Sequence, residues 1–474
     1  ETPFSAARMV SNFLYEMKLA FRFLAVMLVS WLFLRFVPVK WFIDYYLPMS
    51  FHLLNLLLVL GVMMMGWPFM HPTQRPNQNA SAILPRAVLQ TTLWLGLGIA
   101  FHAIGRHAVG MPDPGGVYFG ITLFMCTLWY SLGGVGPFPF ADRLSPWENG
   151  LFGWGVIMVL TIGLFLGFVN FKGLPLEGHR TDPGGQIAAQ EWFDRCVWII
   201  VWIQAFGSIM CFQGWPFILL KSPWYQVSLL AVCIGLGTAC WEVTLAADID
   251  QPTSASAVGA TMISFTLYHA IGFELRPFST RFVQPTRGVL NFVVEEVVCT
   301  VIWVYLCRGI LAPLADRLLD AGPPYSFFNV NHLTAWYSLH VVAPLLIVHE
   351  NFFARFPMAP AGPPIGPFEL AKGHGDAGPA SDSEAVPVSE PEAAVADLKH
   401  GTAGPLAGRN AAIAASLSFA EPSVRGTSEP VHILTPSVYT LSGAGYVQSH
   451  AAPLQGYWQP VSGFAAHPTL PVVA

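Results

Sequence analysis

Long apolar stretches separated by short polar connections recur along the first 355 residues of this chain. A helix that crosses the hydrocarbon core of a bilayer needs roughly 20 consecutive apolar residues. The stretches that meet this length lie at approximately 19–39, 50–69, 87–105, 117–138, 150–171, 197–216, 224–246, 256–275, 289–311 and 332–353. The pattern therefore predicts an all-α, polytopic bundle of about ten transmembrane helices over 19–355, preceded by an amphipathic segment at 1–18.

The composition agrees with a lipid environment. Hydrophobic residues make up 54% of the chain and charged residues 11%, whereas a soluble globular chain carries about 25% charged residues. Of the 23 basic and 28 acidic residues, 4 and 9 lie in 356–474, which leaves 19 of each in the first 355 residues. A neutral, apolar block of this length excludes the soluble class and makes the lipid bilayer the expected partner. Nucleic acid is not an expected partner, because no basic stripe is present to neutralise phosphates.

The even number of predicted spans places both chain termini on one side of the membrane. The loops on that side would carry eleven basic residues, against eight on the other side. Because short cytoplasmic loops are enriched in Lys and Arg, this excess predicts that both termini are cytoplasmic. The first apolar run has no small-residue cleavage pattern, so we interpret it as a retained span.

Four loops on the side of the termini share a proline pattern. Each begins with Pro-Phe and reaches another Pro six or seven residues after that Phe: PFMHPTQRP (68–76), PFADRLSP (139–146), PFILLKSP (216–223) and PFSTRFVQP (277–285). On the opposite side, Asp-Pro-Gly-Gly occurs twice, at 113–116 and 182–185.

This recurrence predicts four duplicated helical hairpins, near 50–105, 117–171, 197–246 and 256–311. Two-helix units keep their orientation when they are duplicated, so an axis along the membrane normal would relate them. The alternative is that Pro, Gly and Trp are ordinary helix-boundary and interface residues.

From residue 356 onward the chain changes to Ala, Pro, Gly and Ser tracts with few large apolar residues. Such a segment cannot bury enough apolar surface to offset the loss of chain entropy, which predicts a largely disordered cytoplasmic tail at 356–474. Aromatic residues near its end leave open a short segment that orders against a partner.

Ionisable side chains inside spans are costly and mark functional sites. Glu295 and Glu296 lie ten residues past Pro285, roughly 15 Å deep at 1.5 Å per residue. Consecutive helical residues point about 100° apart, so these carboxylates cannot face one pocket equally. His269 lies eight residues before Pro277, roughly 12 Å deep, and His340 lies in the tenth span. These four residues are predicted substrate or proton sites; alternatively, they are buried groups that satisfy one another.

Cofactor binding is a weaker alternative, and no cofactor is predicted outright. His102 and His340 fall within about one helical turn of the same depth, the minimum condition for bis-histidine haem ligation. A His and carboxylate set across neighbouring helices could also bind a divalent metal. The seven cysteines have no CxxC spacing and are interpreted as small buried apolar residues.

The sequence identifies neither a reaction nor a substrate, so enzymatic activity stays open. It contains no GxxxxGK[ST] nucleotide-binding motif and no GxSxG motif. The first hypothesis is a permease or channel-like transporter of a small solute or ion. The alternatives are a haem- or metal-binding redox subunit, and a structural subunit of a larger membrane complex or homo-oligomer.

Overall fold

A computed structural model describes residues 6–60, 80–133, 146–174, 176–208, 210–221, 223–273, 275–278, 282–323, 325–353 and 355–356. This part of the chain is mostly helical (80%), which confirms the all-α prediction at the level of fold class. The predicted tail after residue 356 and the first two Pro-Phe loops lie outside the described residues, apart from Pro146.

Ten continuous helical segments occur in the described residues. We number them α1 (Ala6–Phe36), α2 (39–60), α3 (80–109), α4 (Asp113–Leu132), α5 (Pro146–Phe168), α6 (Ala189–Phe206), α7 (Trp224–Ala246), α8 (252–272), α9 (286–320) and α10 (330–351). Short 3₁₀ turns at Phe217–Leu219 and Tyr325–Phe327 lie in the connections that precede α7 and α10.

Two helices differ clearly from the predicted boundaries. The described part of the stretch predicted as a separate amphipathic segment at 1–18 is continuous with the first span, because α1 begins at Ala6 and ends at Phe36. Its end has a local cause, since Pro38 disfavours a helical conformation at Val37. The sixth helix runs over Ala189–Phe206 rather than 197–216. The described residues between 207 and 215 are non-helical, and Gly214 among them has a φ of 80°.

Among the described residues, six helices are long and apolar enough to cross a membrane, which indicates a multi-pass membrane protein. They cover Phe13–Phe36, Ile83–Val109, Gly115–Leu132, Gly150–Phe168, Trp224–Ala246 and Thr286–Asp320. The helices α2, α6, α8 and α10 fall outside this group, so six of the ten predicted spans have the length and composition of membrane helices.

The even-numbered helices form an inner ring. Helix α2 packs against α4, α4 against α6, α6 against α8, α8 against α10, and α10 back against α2. Burial follows this arrangement: 12 of the 18 residues of α6 are buried, and 67% of the apolar window of α4 is buried.

The odd-numbered helices lie outside the ring. Helices α3, α5 and α7 pack on α2, α4 and α6, whereas α1 packs on α10 and α9 packs on α8 and α10. Only 22–33% of their apolar windows is buried. Their outer faces carry large apolar side chains, such as Val297, Val301 and Tyr305 on α9. An apolar outer surface is expected where lipid replaces water as the solvent.

The connection between α5 and α6 is ordered and includes the two strands of the structure. Strand β1 (Val169–Asn170) pairs in parallel with β2 (Ile187–Ala188). Asp182 organises the turn between them by accepting hydrogen bonds from the backbone N–H groups of Phe171, Gly178 and Gly184. Burial opposes its ionisation, but these three donors outweigh that effect and hold the pKa of Asp182 below its usual value.

The two Asp-Pro-Gly-Gly copies have different local structures. Asp113 begins α4, where a carboxylate in the first turn is favoured by the helix dipole. Asp182 instead lies in a turn ahead of β2. The repeated tetrapeptide therefore does not mark a repeated backbone conformation.

Candidate functional site

The four residues predicted as substrate or proton sites all lie in π-helical stretches. Glu295 and Glu296 belong to Asn291–Val298, His269 to Tyr268–Gly272 and His340 to Trp336–Val342. Further π-helical stretches occur at Phe42–Tyr46, Ile104–Val109 and Pro252–Gly259, so this backbone form does not by itself distinguish the predicted site residues. At each of these positions the backbone follows the wider π-helical turn instead of the α-helical one.

Glu296 is buried, with 1% of its surface exposed. Its carboxylate contacts two neutral side chains: the Cys211 thiol, 3.4 Å from Oε1, and the Thr266 hydroxyl, 3.0 Å from Oε2. Cys211 belongs to the segment after α6, and Thr266 lies on α8. We call this group of three side chains the Glu296 site. Within the described residues no ion pair reaches Glu296, so an ionised carboxylate would lack a counter-charge there.

The Thr266 hydroxyl lies within hydrogen-bonding distance of both a backbone carbonyl and the Glu296 carboxyl group. Its oxygen lies 2.7 Å from the Met262 carbonyl oxygen as well as 3.0 Å from Glu296 Oε2. A hydroxyl group has one proton to donate but can accept two hydrogen bonds. If that proton goes to Met262, the contact with Glu296 is a hydrogen bond only when the carboxyl group donates. If the proton goes to Glu296 instead, the hydroxyl donates to an ionised carboxylate, so this geometry accommodates both protonation states.

Further polar groups lie on the same buried face of α9. Arg287 is buried and its Nη2 hydrogen-bonds to Gln213 Oε1. Asn291 is fully buried, and neither its amide nitrogen nor its oxygen has a protein partner. Thr300, one turn beyond Glu296, has an unpaired hydroxyl. The buried face of α9 is thus polar from Arg287 to Thr300, whereas its outer face is apolar.

Glu295 faces a different environment from Glu296, as the helical spacing predicted. Its side chain is half-buried, and the nearest polar partner is the Cys299 thiol at 3.9 Å on the same helix. The structure does not bring Glu295 into the Glu296 site.

His269 lies closer to the end of its helix than predicted. Helix α8 ends at Gly272, three residues later, because the chain turns back and the Leu275 N–H bonds to the His269 carbonyl. The ring Nε2 lies 2.9 Å from the Arg276 carbonyl oxygen, while Nδ1 is buried without a protein partner. Within the described residues, no hydrogen bond or ion pair joins His269 to either glutamate.

His340 lies inside the ring of helices. Its Nδ1 is 2.6 Å from the Ser50 hydroxyl on α2, and Phe51 packs against its ring in an edge-to-face arrangement at 4.7 Å. Tyr46 donates a hydrogen bond to the His340 backbone carbonyl. These contacts hold His340 against α2.

His102 and His340 lie on different sides of α2. Phe101 next to His102 packs near the ring of His52, at 6.3 Å, whereas Ser50 faces His340. Residues two positions apart point to opposite sides of a helix. The structure therefore places α2 between the two histidines and does not bring them together as a pair.

Some buried charged residues were not singled out as sites from the sequence. Arg22 on α1 is 1% exposed and pairs with Glu350 on α10 at 2.6 Å. Asp194 on α6 is also 1% exposed. Asp194 was assigned to a loop because the sixth span was placed too late in the chain. No sequence pattern connects Arg22 to a partner 328 residues away.

Neither of two cavities found near α1 is lined by the predicted site residues. One is an open apolar groove of about 780 Å³ between the end of α1 and the start of α2, lined by residues such as Phe36 and Trp41. The other, of about 20 Å³, lies beside Arg317. Among the residues that the structure describes, no group of three or more His, Cys, Asp or Glu side chains could hold a metal ion.

The helices and their apolar outer faces define the class as a multi-pass, α-helical membrane protein. Comparison with protein-family models, with curated proteins and with solved structures gives no match for this chain. Its function is therefore inferred from its own residues.

Proposed function

We propose that this chain is a ten-span permease or channel-like transporter of a small solute or ion, in which Glu296 binds a proton. The observation that carries the proposal is the Glu296 site. A carboxyl group with no counter-charge lies inside a bundle of apolar helices and contacts only neutral donors and acceptors. Such a group is stable there when it carries a proton, and it can release that proton when water or another cation reaches it.

The inner helices support ten spans rather than six. Helix α6 has 18 residues and is therefore about 27 Å long, close to the thickness of the hydrocarbon core. Helix α6 is less apolar than the outer helices because Glu191, Asp194 and Arg195 lie in its first two turns. Glu191 and Arg195 form an i,i+4 ion pair at 2.8 Å, which reduces their cost. Helices inside the ring contact lipid less and tolerate more polar residues than the outer helices.

The order of the helices supports duplication of hairpins. Outer and inner helices alternate without exception from α1 to α10, so each hairpin contributes one helix to the ring and one to its outside. A duplicated two-helix unit would produce this alternation around one axis. With ten spans both termini lie on one side, and the excess of basic loop residues on that side supports a cytoplasmic location.

The test is proton flux into liposomes that contain the purified protein and a pH-sensitive dye, driven by a potassium diffusion potential. Wild-type protein is expected to conduct protons above the level of protein-free liposomes. Glu296→Gln keeps the shape of the side chain and removes the ionisable proton, so the flux of this variant should fall to the protein-free level. Glu295→Gln is the matched control, because Glu295 lies outside the site, and it should retain the wild-type flux.

Two results would overturn the proposal. One is wild-type flux equal to that of protein-free liposomes. The other is undiminished flux through Glu296→Gln. Elution of each variant as a single species from size-exclusion chromatography separates loss of flux from loss of folding.

A further inference from the structure

A second carboxyl group is buried in the same way as Glu296. Asp194, in the second turn of α6, is 1% exposed. Its Oδ1 accepts a hydrogen bond from the Gln190 side-chain amide at 3.5 Å. The Gln251 amide, which hydrogen-bonds to Ser256 at 3.2 Å, lies near the carboxyl group. Tyr118 on α4 continues this network by donating to Gln190 at 3.2 Å. The carboxyl group therefore has neutral amide neighbours, of which Gln190 on its own helix is the hydrogen-bond donor.

No cation is available to Asp194 within the described residues. The adjacent Arg195 points away from it and pairs with Glu191 at 2.8 Å and with Glu242 at 3.3 Å. The titratable or charged side chains around Asp194 are Tyr118, Glu191, Arg195, Cys196 and Glu242. The buried carboxyl group thus has the property that distinguishes Glu296, namely neutral partners and no counter-charge.

The two carboxyl groups lie at opposite ends of α6. Asp194 lies near its start, whereas Glu296 contacts Cys211, in the segment that follows its end. Twelve residues of helix separate Asp194 from Phe206, a distance of about 18 Å. The two groups therefore lie near opposite faces of the helical bundle.

One side of α6 connects these two ends, along its contact with α8. A close contact occurs at Gly259, where an added Cβ would lie 2.5 Å from the Val197 side chain. Seven residues, or two turns, beyond this contact lie Gln204 on α6 and Thr266 on α8, so both lie on the facing sides. Thr266 belongs to the Glu296 site. Gln204 is fully buried, and neither of its amide atoms has a hydrogen-bond partner in the part of the chain that the structure describes.

We infer that Asp194 is a second proton-binding site and that protons pass between Asp194 and Glu296 along the α6–α8 contact. The inference rests on the proposed function. A proton from water at the start of α6 binds the Asp194 carboxylate, moves past the unpaired Gln204 amide to the Glu296 carboxylate, and leaves on the other side. Each carboxylate returns to its earlier state, so protons and charge balance. The Val197–Gly259 contact separates the two sites and opens for transfer.

Proton flux in liposomes and infrared spectroscopy of the protonated carboxyl C=O band test this inference together. Asp194→Asn should reduce flux to the protein-free level and remove one component of the band. Glu191→Gln, one turn earlier on α6 and half-exposed, is the matched control and should change neither. In wild-type protein, ¹³C labelling of aspartate should shift part of the band, which reports a protonated aspartate without any substitution.

The outcomes separate this inference from the proposed function. Loss of flux in Glu296→Gln with undiminished flux in Asp194→Asn would overturn the role of Asp194 and leave the proposed function in place. The absence of an aspartate component from the wild-type band would also overturn it, even if Asp194→Asn did not fold. Undiminished flux in Glu296→Gln would overturn the proposed function itself.

Discussion

Arg22 has the largest fully buried side chain among the described residues. Its Nη1 donates to Glu350 Oε2 at 2.6 Å, and its Nη2 donates to the Gly272 carbonyl at the end of α8, at 2.7 Å. Arg355 donates to the same carboxylate at 2.7 Å. Glu350 therefore joins α1 to the last described turn of the chain and supports the end of α8 through Arg22.

Replacing Glu350 by Gln should destabilise the protein strongly. The substitution leaves the Arg22 guanidinium buried without its counter-charge, and breaking a buried pair in this way costs about 3–5 kcal/mol. Glu242→Gln is the control, because the side chain of Glu242 is 59% exposed and an exposed pair contributes about 0–1 kcal/mol. The measurement is the midpoint of thermal unfolding in detergent. Equal midpoints for the two variants would contradict a structural role for Glu350.

The surroundings of a single side chain can be predicted from the sequence where helix geometry alone determines which way it faces. The 100° spacing of successive residues correctly separated Glu295 from Glu296, and the structure gives them different neighbours. His269 lies three residues from the end of α8 at Gly272, because the chain turns back before Pro277, from which its depth was counted. Partners such as Arg22 and Glu350 depend on which helices become neighbours, and hydrophobic periodicity does not contain that information.

At the scale of single helices, every predicted apolar stretch overlaps a helix of the structure. The predicted start of a helix was wrong where charged residues lie inside that helix. The first turns of α6 contain Glu191, Asp194 and Arg195, so a search for apolar residues placed its start eight residues too late. The ion pair between Glu191 and Arg195 offsets part of this cost, and recognising it requires knowing that both lie on one helix.

Helix α7 packs closely on α6 through one glycine. A Cβ added to Gly237 would lie 2.6 Å from the backbone nitrogen of Ile199 and 2.7 Å from its Cα, and backbone atoms cannot move aside locally. Gly237→Ala should therefore force the two helices apart and cost roughly 1–3 kcal/mol.

Gly235 on the same helix is the matched control. A Cβ there meets nothing within 4 Å, so Gly235→Ala should be neutral or should stabilise α7 by up to about 1 kcal/mol. Thermal unfolding midpoints of the two variants in detergent provide the comparison. A midpoint for Gly237→Ala that matches or exceeds that of Gly235→Ala would contradict the close packing of α6 and α7.

At the scale of the whole molecule, the described helices with the length and hydropathy of membrane spans are the five outer helices and one inner helix, α4. An outer helix must be apolar on its lipid-facing side, whereas an inner helix packs mainly against other helices. Polar side chains such as Ser50, Thr122, Gln204 and His340 therefore concentrate on the inner helices. Hydropathy reports how apolar the residues of a helix are. A hydropathy threshold therefore misses spans that the fold removes from lipid, because these helices can carry more polar residues.

The number of spans depends most directly on α6, and one pair of loop positions decides whether it crosses the membrane. Lys172 lies before α6 and Lys221 after it, and both are exposed. If α6 spans the bilayer, the two lysines lie on opposite sides. If it does not, both lie in one long loop on the same side.

The measurement is labelling of Lys172→Cys and Lys221→Cys with a membrane-impermeant maleimide in sealed vesicles of defined orientation. We expect one variant to react from outside and the other only after the vesicles are opened. Wild-type protein gives the background of native thiols, five of which are buried and two partly buried. Labelling of both variants from the same side would exclude α6 as a span. It would also place Asp194 and Glu296 in a bundle with a different topology, in which a proton route along α6 could not connect the two sides of the membrane.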